Sequence, residues 1–370
     1  MKILYLVDVD LDQISGVASK VLMQAKEWTK ENHEVYLLSI VSLSFFNLDG
    51  KRISMSKIQR KTKGKLSFII NAYKSSILLK FLISDLEFDI VYMRYKIYDP
   101  FFKYAVKNKP VIAEMNTVYE TETRIRSLAS YIYYRIFKSL SFRTIEGFIC
   151  VSNEINLLTL NSSYKSIVLA NGINTSLFSI KKKLKNTTPK LLFMGSPNQA
   201  WHGIDKILIL ASKLINCEFH IVGPNKQELQ SYGEIPDNII IHGYCDSTYL
   251  DKLIPQCDIG ISTLALHRKN MHEASPLKSR EYLAYGLPII YAYNDTDIEN
   301  NVPFALKIKN SENNIQDDFE RIQKFIYEVF NNENIRKMSR QFAESTLDLQ
   351  KKEFLRLQFM KEIILKNKTI

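Results

Sequence analysis

The chain has 370 residues, more than twice the length of a typical domain, so we expect two domains with separate cores rather than one small module. With 46% hydrophobic and 24% charged residues and only 12 glycines and 10 prolines, the composition excludes a disordered or collagen-like protein. The formal net charge of +11 favours a phosphorylated, nucleic or anionic membrane partner.

Short apolar runs alternate with amphipathic stretches in the first half of the chain. The apolar runs predict strands at 3–7, 35–39, 90–93, 111–114, 147–151 and 167–169. The amphipathic stretch between the first two predicts a helix at 17–30. This alternation is typical of βαβ units around a parallel sheet. The N-terminal apolar run meets Asp8 too early for a signal peptide, so we expect a cytoplasmic protein, which could also bind peripherally to the cytoplasmic face of a membrane.

The same alternation begins again after a polar, basic stretch at residues 181–190, which we interpret as a linker. The second half predicts strands and helices, namely strands 190–194, 218–222, 238–242, 258–262 and 288–293 and helices 204–214, 249–256 and 278–285. The expected organisation is a domain at 1–180, the linker at 181–190, a second domain at 191–345, and a C-terminal helix at 346–370 packing back toward the first domain. Two doubly wound domains would face a central cleft, where the carboxyl ends of their strands bind ligands.

The densest group of functional signals is HEASPLKSREYLAYGLPII at residues 272–290. Seven residues separate Glu273, in a predicted loop, from Glu281, about one turn inside the next helix. Backbone groups at or just before the start of that helix belong to Ser275, Pro276 and Leu277. Free amides at a helix start attract phosphate oxygens, and Lys278 adds a positive charge there. Spacing alone equally allows a capped helix with two solvated glutamates.

The E-x7-E pattern running into EYLAYGLPII resembles the signature of glycosyltransferase family 4, which contains retaining enzymes of the GT-B fold. Other segments are similar to that family in the same order, namely SGVASKVLMQAKEWTKENHEVYLLS (15–39), IVLANGINTSLF (167–178), WHGIDKILILA (201–211), FHIVGP (219–224) and IIIHGYCDSTYLDKLIPQCDIGIST (239–263). In the second of these, Asn171 and Gly172 form the family's hallmark pair. The resemblance implies an α/β protein with two Rossmann-like domains, an acceptor-side domain followed by one that binds a nucleotide sugar.

The resemblance also implies roles for the acidic pair. Glu273 would contact the donor sugar near its anomeric carbon, and Glu281 would accept hydrogen bonds from the ribose hydroxyls. A carboxylate suits a vicinal diol, and one beside a sugar stabilises developing oxocarbenium charge. Gly195 belongs to the donor-side loop after the first strand of the second domain. Since the leaving group is a nucleoside diphosphate, cations and amides would suffice, and we expect no metal and no cofactor.

The sequence departs from the family where an arginine and a lysine normally grip the diphosphate. The stretch MGSPNQAWHGIDK at residues 194–206 has His202 in place of that lysine and no arginine before it. Lys278 is the candidate replacement, with neutral His202 as a weaker hydrogen-bond donor. Lys206 is expected to be a solvated helix residue.

In the first domain, Gly16 follows the first strand and is either a plain turn residue or a donor-site residue whose backbone lets acceptor or phosphate approach. Residues 111–122 resemble the family's acceptor loop, and residues 92–99 resemble a stretch that enters the same cleft. The acceptor-side candidates are Glu114, Asn116, Glu120, Glu122 and Arg94, with Asn116 as the catalytic candidate. Arg94 could bind an acceptor phosphate or simply pair with Glu114, and so many acidic residues are also ordinary for a surface loop.

Residues 51–65 contain seven basic residues and no acidic one, immediately before an apolar stretch: Lys51, Arg52, Lys57, Arg60, Lys61, Lys63 and Lys65. Such a cluster suits an anionic membrane surface, and it equally suits a solvated loop. We do not expect nucleic acid, because no stacking aromatic residues are interleaved with these charges.

Together these features predict a retaining, metal-independent glycosyltransferase of the hexosyltransferase type. It would move a sugar from a nucleotide diphosphate sugar to a growing glycan or lipid-linked glycan during surface polysaccharide biosynthesis. Two alternatives remain, a GT-B epimerase acting on the nucleotide sugar itself and a non-catalytic partner of another transferase.

Overall fold

The structure is a computed structural model that describes residues 1–13, 15–53, 67–95, 102–160, 164–178 and 185–368. The chain divides into two compact units, unit 1 (Met1–Leu169 with Gln350–Ile370) and unit 2 (Ala170–Leu349). The division therefore precedes the predicted linker at 181–190, of which residues 181–184 lie outside the described residues. Hydrogen bonding explains this early division, because Ile173 exchanges backbone hydrogen bonds with Leu347 and Leu349 of unit 2.

Unit 1 is built on a seven-stranded sheet in the order β3-β2-β1-β4-β5-β6-β7. Its strands are β1 (Lys2–Val7), β2 (Glu34–Ser39), β3 (Ser44–Phe46), β4 (Ile90–Arg94), β5 (Val111–Met115), β6 (Gly147–Cys150) and β7 (Ser166–Val168). All neighbours pair in parallel except β2 and β3. The central strands are buried along almost their whole length, which is typical of a parallel sheet covered by helices on both faces.

The helices of unit 1 connect these strands. They are α1 (Gly16–Lys30), α2 (Ser67–Leu82), α3 (Phe102–Ala105), α4 (Tyr119–Arg126), α5 (Leu128–Arg143) and α6 (Asn153–Thr159). Hydroxyl N-caps begin three of them, with Ser15, Ser127 and Ser152 each accepting a hydrogen bond from a backbone amide three residues later. Among the described residues no helix has both the length and the apolar character needed to cross a bilayer.

Unit 2 contains a six-stranded, fully parallel sheet in the order β10-β9-β8-β11-β13-β15, and a separate pair β12-β14. The strands are β8 (Lys190–Met194), β9 (Glu218–Val222), β10 (Ile239–Gly243), β11 (Ile259–Ile261), β12 (Glu273–Ala274), β13 (Ile289–Tyr291), β14 (Asn294–Asp295) and β15 (Ala305–Lys307). The predicted doubly wound α/β organisation is confirmed.

The helices of unit 2 pack on this sheet. They are α7 (Ile204–Lys213), α8 (Lys226–Tyr232), α9 (Ser247–Leu253), α10 (Leu277–Ala284), α11 (Asn314–Asp317), α12 (Phe319–Val329) and α13 (Glu333–Thr346), and α14 (Leu349–Lys368) then ends the chain. Apolar residues of α7 and α12 join those of β8, β9 and β11 in one buried cluster. Most of α14 belongs to unit 1, where Leu357, Phe359, Met360 and Ile363 join the core.

Candidate functional site

The predicted E-x7-E segment of unit 2 forms the short strand β12, a tight loop and helix α10. Glu273 begins β12, and Ser275 and Pro276 lead into α10, whose first residue is Leu277. Pro276 is the N-cap residue and provides no side-chain hydrogen bond to the amides of the first turn. Because Pro276 cannot cap these amides, they are suited to an anionic ligand.

Asn171 holds the loop before α10. Its backbone N–H donates to Ser275 Oγ at 2.9 Å, and its side-chain Nδ2 donates to the carbonyl oxygen of Ser275 at 2.5 Å. Its own carbonyl oxygen accepts a hydrogen bond from Arg280 Nε at 3.3 Å. The hallmark asparagine of the resembled family therefore positions the loop from a distant part of the same unit.

Arg280 fixes the middle of α10, and its side chain is completely buried. The guanidinium contacts both carboxylate oxygens of Asp295, and its Nη2 lies 3.1 Å from Asp297 Oδ2. The pairing of β12 with β14 connects the same two parts of the chain. This ion pair was not foreseen, and the only sequence signal for it is an arginine on the buried side of a short helix.

Lys278 places a cation in the first turn of α10. Its Nζ lies 4.1 Å from the centroid of the Phe193 ring and 3.2 Å from His202 Nδ1. Burial holds the pKa of Lys278 well below its usual range. Within the described part of the chain no carboxylate lies within ion-pair distance of Nζ, so no acidic side chain stabilises the charged form of Lys278.

His202 contacts Lys278 from the short turn Ala200–His202. Burial, and then the charges of Lys278 and Lys269, lower the pKa of His202 to about 2, so the ring is neutral. Its Nδ1 accepts a hydrogen bond from Lys278 Nζ, which leaves the ring proton on Nε2, so the predicted role of His202 as a donor to phosphate stays a prediction. Gly195 makes room for the ring, because a Cβ atom at residue 195 would lie 2.9 Å from His202 Nε2.

Glu281 lies in the second turn of α10 and is partly buried. No hydrogen bond or ion pair from any described residue reaches its carboxylate, and burial raises the pKa of Glu281 to about 7. Glu273 is partly exposed on β12. The site thus combines helix amides, a cation and a carboxylate on consecutive turns.

Lys206 is buried rather than solvated as predicted. Its ammonium donates to the carbonyl oxygens of Ser311 and Glu312 and, at 3.2 Å, to Asn314 Oδ1. The prediction was wrong because Lys206 lies on the buried side of α7, where its ammonium binds residues that follow β15.

The acceptor-side candidate Glu114 lies inside unit 1, whereas we expected it to border the cleft. Its carboxylate accepts hydrogen bonds from Lys20 Nζ and Arg356 Nη1, both at 3.0 Å, and from Asn116 Nδ2 at 3.2 Å. Burial alone would raise the pKa of Glu114, but Lys20, Arg356 and Arg94 outweigh it and hold that pKa well below its usual range.

The remaining acceptor-side candidates lie at or near the surface of unit 1. Asn116 Oδ1 accepts from Lys20 Nζ at 3.1 Å. Arg94 pairs mainly with Asp8, at 3.0 Å, and its Nη1 lies 4.0 Å from Glu114. Glu120 pairs with Arg135 and Glu122 with Arg126. Gly16 is the first residue of α1.

Two residues of the predicted basic membrane cluster are described. Lys51 is exposed, whereas Arg52 contacts Asp10, Asp12 and Ser44. Two carboxylates thus already pair with Arg52, and its predicted contact with a membrane stays a prediction. The other members lie outside the described residues, namely Lys57, Arg60, Lys61, Lys63 and Lys65. No three His, Cys, Asp or Glu residues in the described ranges form a cluster that could hold a metal ion.

Comparisons with known proteins agree with this geometry. Residues 188–303 match the family model described as "Glycosyl transferases group 1". Sucrose-phosphate synthase from Thermosynechococcus elongatus has a similar structure, with a TM-score of 0.74 at 12% identity over 99% of this chain and 100% of that chain. A glycosyltransferase from Rickettsia africae ESF-5 gives a TM-score of 0.67 at 16% identity over 98% of each chain.

Anabaena HepE, solved in complex with UDP-glucose, gives a TM-score of 0.63 at 13% identity over 98% of this chain and 100% of that chain. The comparison with curated protein sequences finds no match. The structural similarities confirm the predicted GT-B fold. The match at residues 188–303, which includes Lys278 and Glu281, supports the predicted transferase.

Proposed function

We propose that this chain is a retaining glycosyltransferase of family 4 that moves a sugar from a nucleotide diphosphate sugar to a growing glycan or lipid-linked glycan during surface polysaccharide biosynthesis. The observation that carries the proposal is the start of α10. There, amides that Pro276 does not cap and the Lys278 amino group, which has no carboxylate partner among the described residues, lie one turn before the unpartnered carboxylate of Glu281.

Each of these groups matches one part of the donor. The first-turn amides and Lys278 provide hydrogen bonds and positive charge for a diphosphate. The carboxylate of Glu281 accepts hydrogen bonds from two neighbouring ribose hydroxyls. No described carboxylate pairs with the Lys278 ammonium, and a buried charge without a partner is costly, so an anionic ligand would stabilise the charged form of this lysine.

The same groups account for the chemistry. As the bond to the sugar breaks, negative charge grows on the diphosphate oxygen, and Lys278 and the helix amides stabilise that charge without a metal ion. Glu273 stabilises positive charge at the anomeric carbon. The configuration at the anomeric carbon is retained if the acceptor attacks from the same face as the departing phosphate, while a phosphate oxygen takes the acceptor's proton. This last step is what the family resemblance implies.

We assign the acceptor to unit 1, with Asn116 as the residue that orients the acceptor hydroxyl. Lys20 and Glu114 fix both ends of the Asn116 amide, so the side chain is held in one orientation. Glu114 is then a positioning residue, because it is buried and contacts Asn116 directly.

The donor half of the proposal is tested by nucleotide titration. Thermal-shift and calorimetric titrations with UDP, GDP, ADP and CMP sugars should identify one donor, and UDP-glucose is the first candidate because HepE was solved with it. Lys278→Met should weaken binding at least about tenfold, since it removes a charged hydrogen-bond donor to the diphosphate. Lys252→Met, at an exposed position on α9 of the same unit, is the control. Equal affinity of Lys278→Met and the wild-type protein would refute the donor site.

Turnover tests the reaction itself. Glu273→Ala should abolish transfer while leaving nucleotide affinity within a few-fold, and transfer should persist in EDTA. Sugar isomerisation without any acceptor would instead identify an epimerase. Nucleotide binding without turnover on any glycan acceptor would identify a non-catalytic partner.

A further inference from the structure

Helix α5 of unit 1 carries four exposed aliphatic side chains at every fourth position. Leu128 is 70% exposed, Ile132 49%, Ile136 63% and Leu140 45%. Residues four apart lie on the same face of a helix, so these side chains form a continuous strip, which we name the α5 stripe. The opposite face already contributes to the core through Tyr133, Tyr134 and Phe142. The α5 stripe is therefore additional to what the fold needs, and such exposed apolar patches mark interaction sites.

Basic residues accompany the α5 stripe in the sequence, and two of them share its face. Residues 123–145 contain no acidic residue and five basic ones, Arg124, Arg126, Arg135, Lys138 and Arg143. Arg135 follows Ile132 by three residues, and Arg143 follows Leu140 by three, so both cations lie on the same face as the stripe. Both arginines are exposed. Arg135 and Arg126 have acidic partners, Glu120 and Glu122, but these ion pairs are solvent-exposed and therefore weak.

We propose that the α5 stripe docks unit 1 on an anionic lipid bilayer. Leucine and isoleucine side chains can enter the boundary between head groups and acyl chains, while the long arginine and lysine side chains reach anionic head groups beside them. The basic residues match the negative surface potential of such a membrane. This inference concerns a surface of unit 1 and does not depend on the proposed function.

A second copy of the chain fits this surface less well. In a two-fold symmetric dimer the same patch meets itself, so Arg135 and Arg143 beside one stripe would face the same two arginines beside the other. That repulsion disfavours self-association through α5, whereas an anionic bilayer attracts these arginines.

Vesicle co-sedimentation of the full-length protein tests the proposal. We expect binding to vesicles of phosphatidylcholine with phosphatidylglycerol and much weaker binding to phosphatidylcholine alone. The double variant Ile132→Gln/Ile136→Gln should lose on the order of tenfold in affinity for the anionic vesicles, because two aliphatic side chains no longer enter the lipid. Arg124→Gln and Arg143→Gln should each lose about fivefold, and less at high salt.

The matched control is Leu157→Gln/Leu158→Gln on α6, an exposed apolar pair of the same unit at 77% and 56% exposure. No basic residue accompanies that pair within α6, so we expect vesicle binding to stay at the wild-type level. Circular dichroism and nucleotide titration on every variant verify that both units are folded and that a change in vesicle binding is separate from any failure of the donor site.

Three results would overturn the proposal. One is unchanged vesicle binding of Ile132→Gln/Ile136→Gln. Another is equal binding to neutral and anionic vesicles. The third is a wild-type dimer in solution that becomes a monomer in that double variant, since a second copy would then occupy the α5 stripe.

Discussion

The carboxylate of Glu281 links the stability of unit 2 to pH. Burial raises its pKa from an ordinary value near 4.5 to about 7, since no described residue donates a hydrogen bond to it. Between these two pH values the folded protein retains a proton that the unfolded chain releases. Glu281 therefore costs nothing below about pH 4.5, and its cost grows as the pH rises, until both states are ionised above about pH 7.

Glu281→Gln should remove this pH dependence. We expect the melting temperature of the variant, relative to the wild-type protein, to increase between pH 5 and pH 8, because only the wild-type protein pays to bury a charge at the higher pH. Differential scanning fluorimetry across this range measures the difference. A melting-temperature difference that stays constant with pH would mean that the Glu281 carboxylate is well solvated in the folded protein. Nucleotide affinity should change in the opposite direction, with the variant weaker at pH 8, since a ribose diol needs the ionised acceptor.

Helix α10 is the element on which the proposed donor site depends, and contacts at several points hold it in place. Asn171 holds the loop that enters it, and Arg280 ties its middle to Asp295 and Asp297. The hydroxyl groups of Ser279, Ser262 and Tyr293 form a buried hydrogen-bonded group beside them. A helix fixed in this way keeps its first-turn amides and Lys278 in one orientation, so little ordering is needed when an anion binds.

Arg280→Met should destabilise unit 2 by about 3–5 kcal/mol, because it leaves the buried carboxylate of Asp295 without its bidentate partner. Lys324→Met is the control, since Lys324 pairs with Glu328 at the surface and its loss should cost no more than about 1 kcal/mol. Urea denaturation, with hydrogen exchange of the α10 and β13 amides, reports the change in this unit. Equal protection of those amides in the two variants would contradict the role given to Arg280.

The elements that the sequence predicted well are those in which local pattern determines structure. Continuous apolar runs predicted β8 and β9 with the bounds observed. The strand β15 was not predicted, because its apolar run is short and interrupted by Lys307. The strands β3, β12 and β14 were missed because two or three residues carry no periodicity. The position of Glu281 followed from a motif, but its pKa depends on burial, which only the folded unit determines.

The differences between prediction and structure at Lys206 and Glu114 have a common physical cause. Lys206 was expected to be solvated and Glu114 to be an acceptor-side residue, and lysine and glutamate are rarely buried. Each is instead buried with partners that are distant in sequence, such as Asn314 for Lys206 and Arg356 for Glu114. Local sequence contains no signal for such a pair, so the buried networks of both units could be found only from the structure.

At the scale of the whole molecule, the C-terminal helix α14 completes the unit with which the chain begins. Arg356 brings a buried cation to Glu114 and Tyr92, and Glu353 accepts hydrogen bonds from Trp28 and Gln24. These contacts join residues more than 200 positions apart in sequence. The packing of unit 1 therefore depends on α14.

Phe359→Ala tests this dependence. The ring of Phe359 is buried against β6, where a Cβ atom at Gly147 would lie only 2.9 Å from Phe359 Cε1. Removing the ring leaves a cavity that this tight contact cannot readily fill, and we expect a loss of about 3–5 kcal/mol in the stability of unit 1. Phe354→Ala, on the exposed side of α14 at 54% exposure, should change stability by no more than about 0.5 kcal/mol. Hydrogen exchange of the β5 and β6 amides separates the two cases. If the two variants leave these amides equally protected, α14 does not support the core of unit 1 as its contacts indicate.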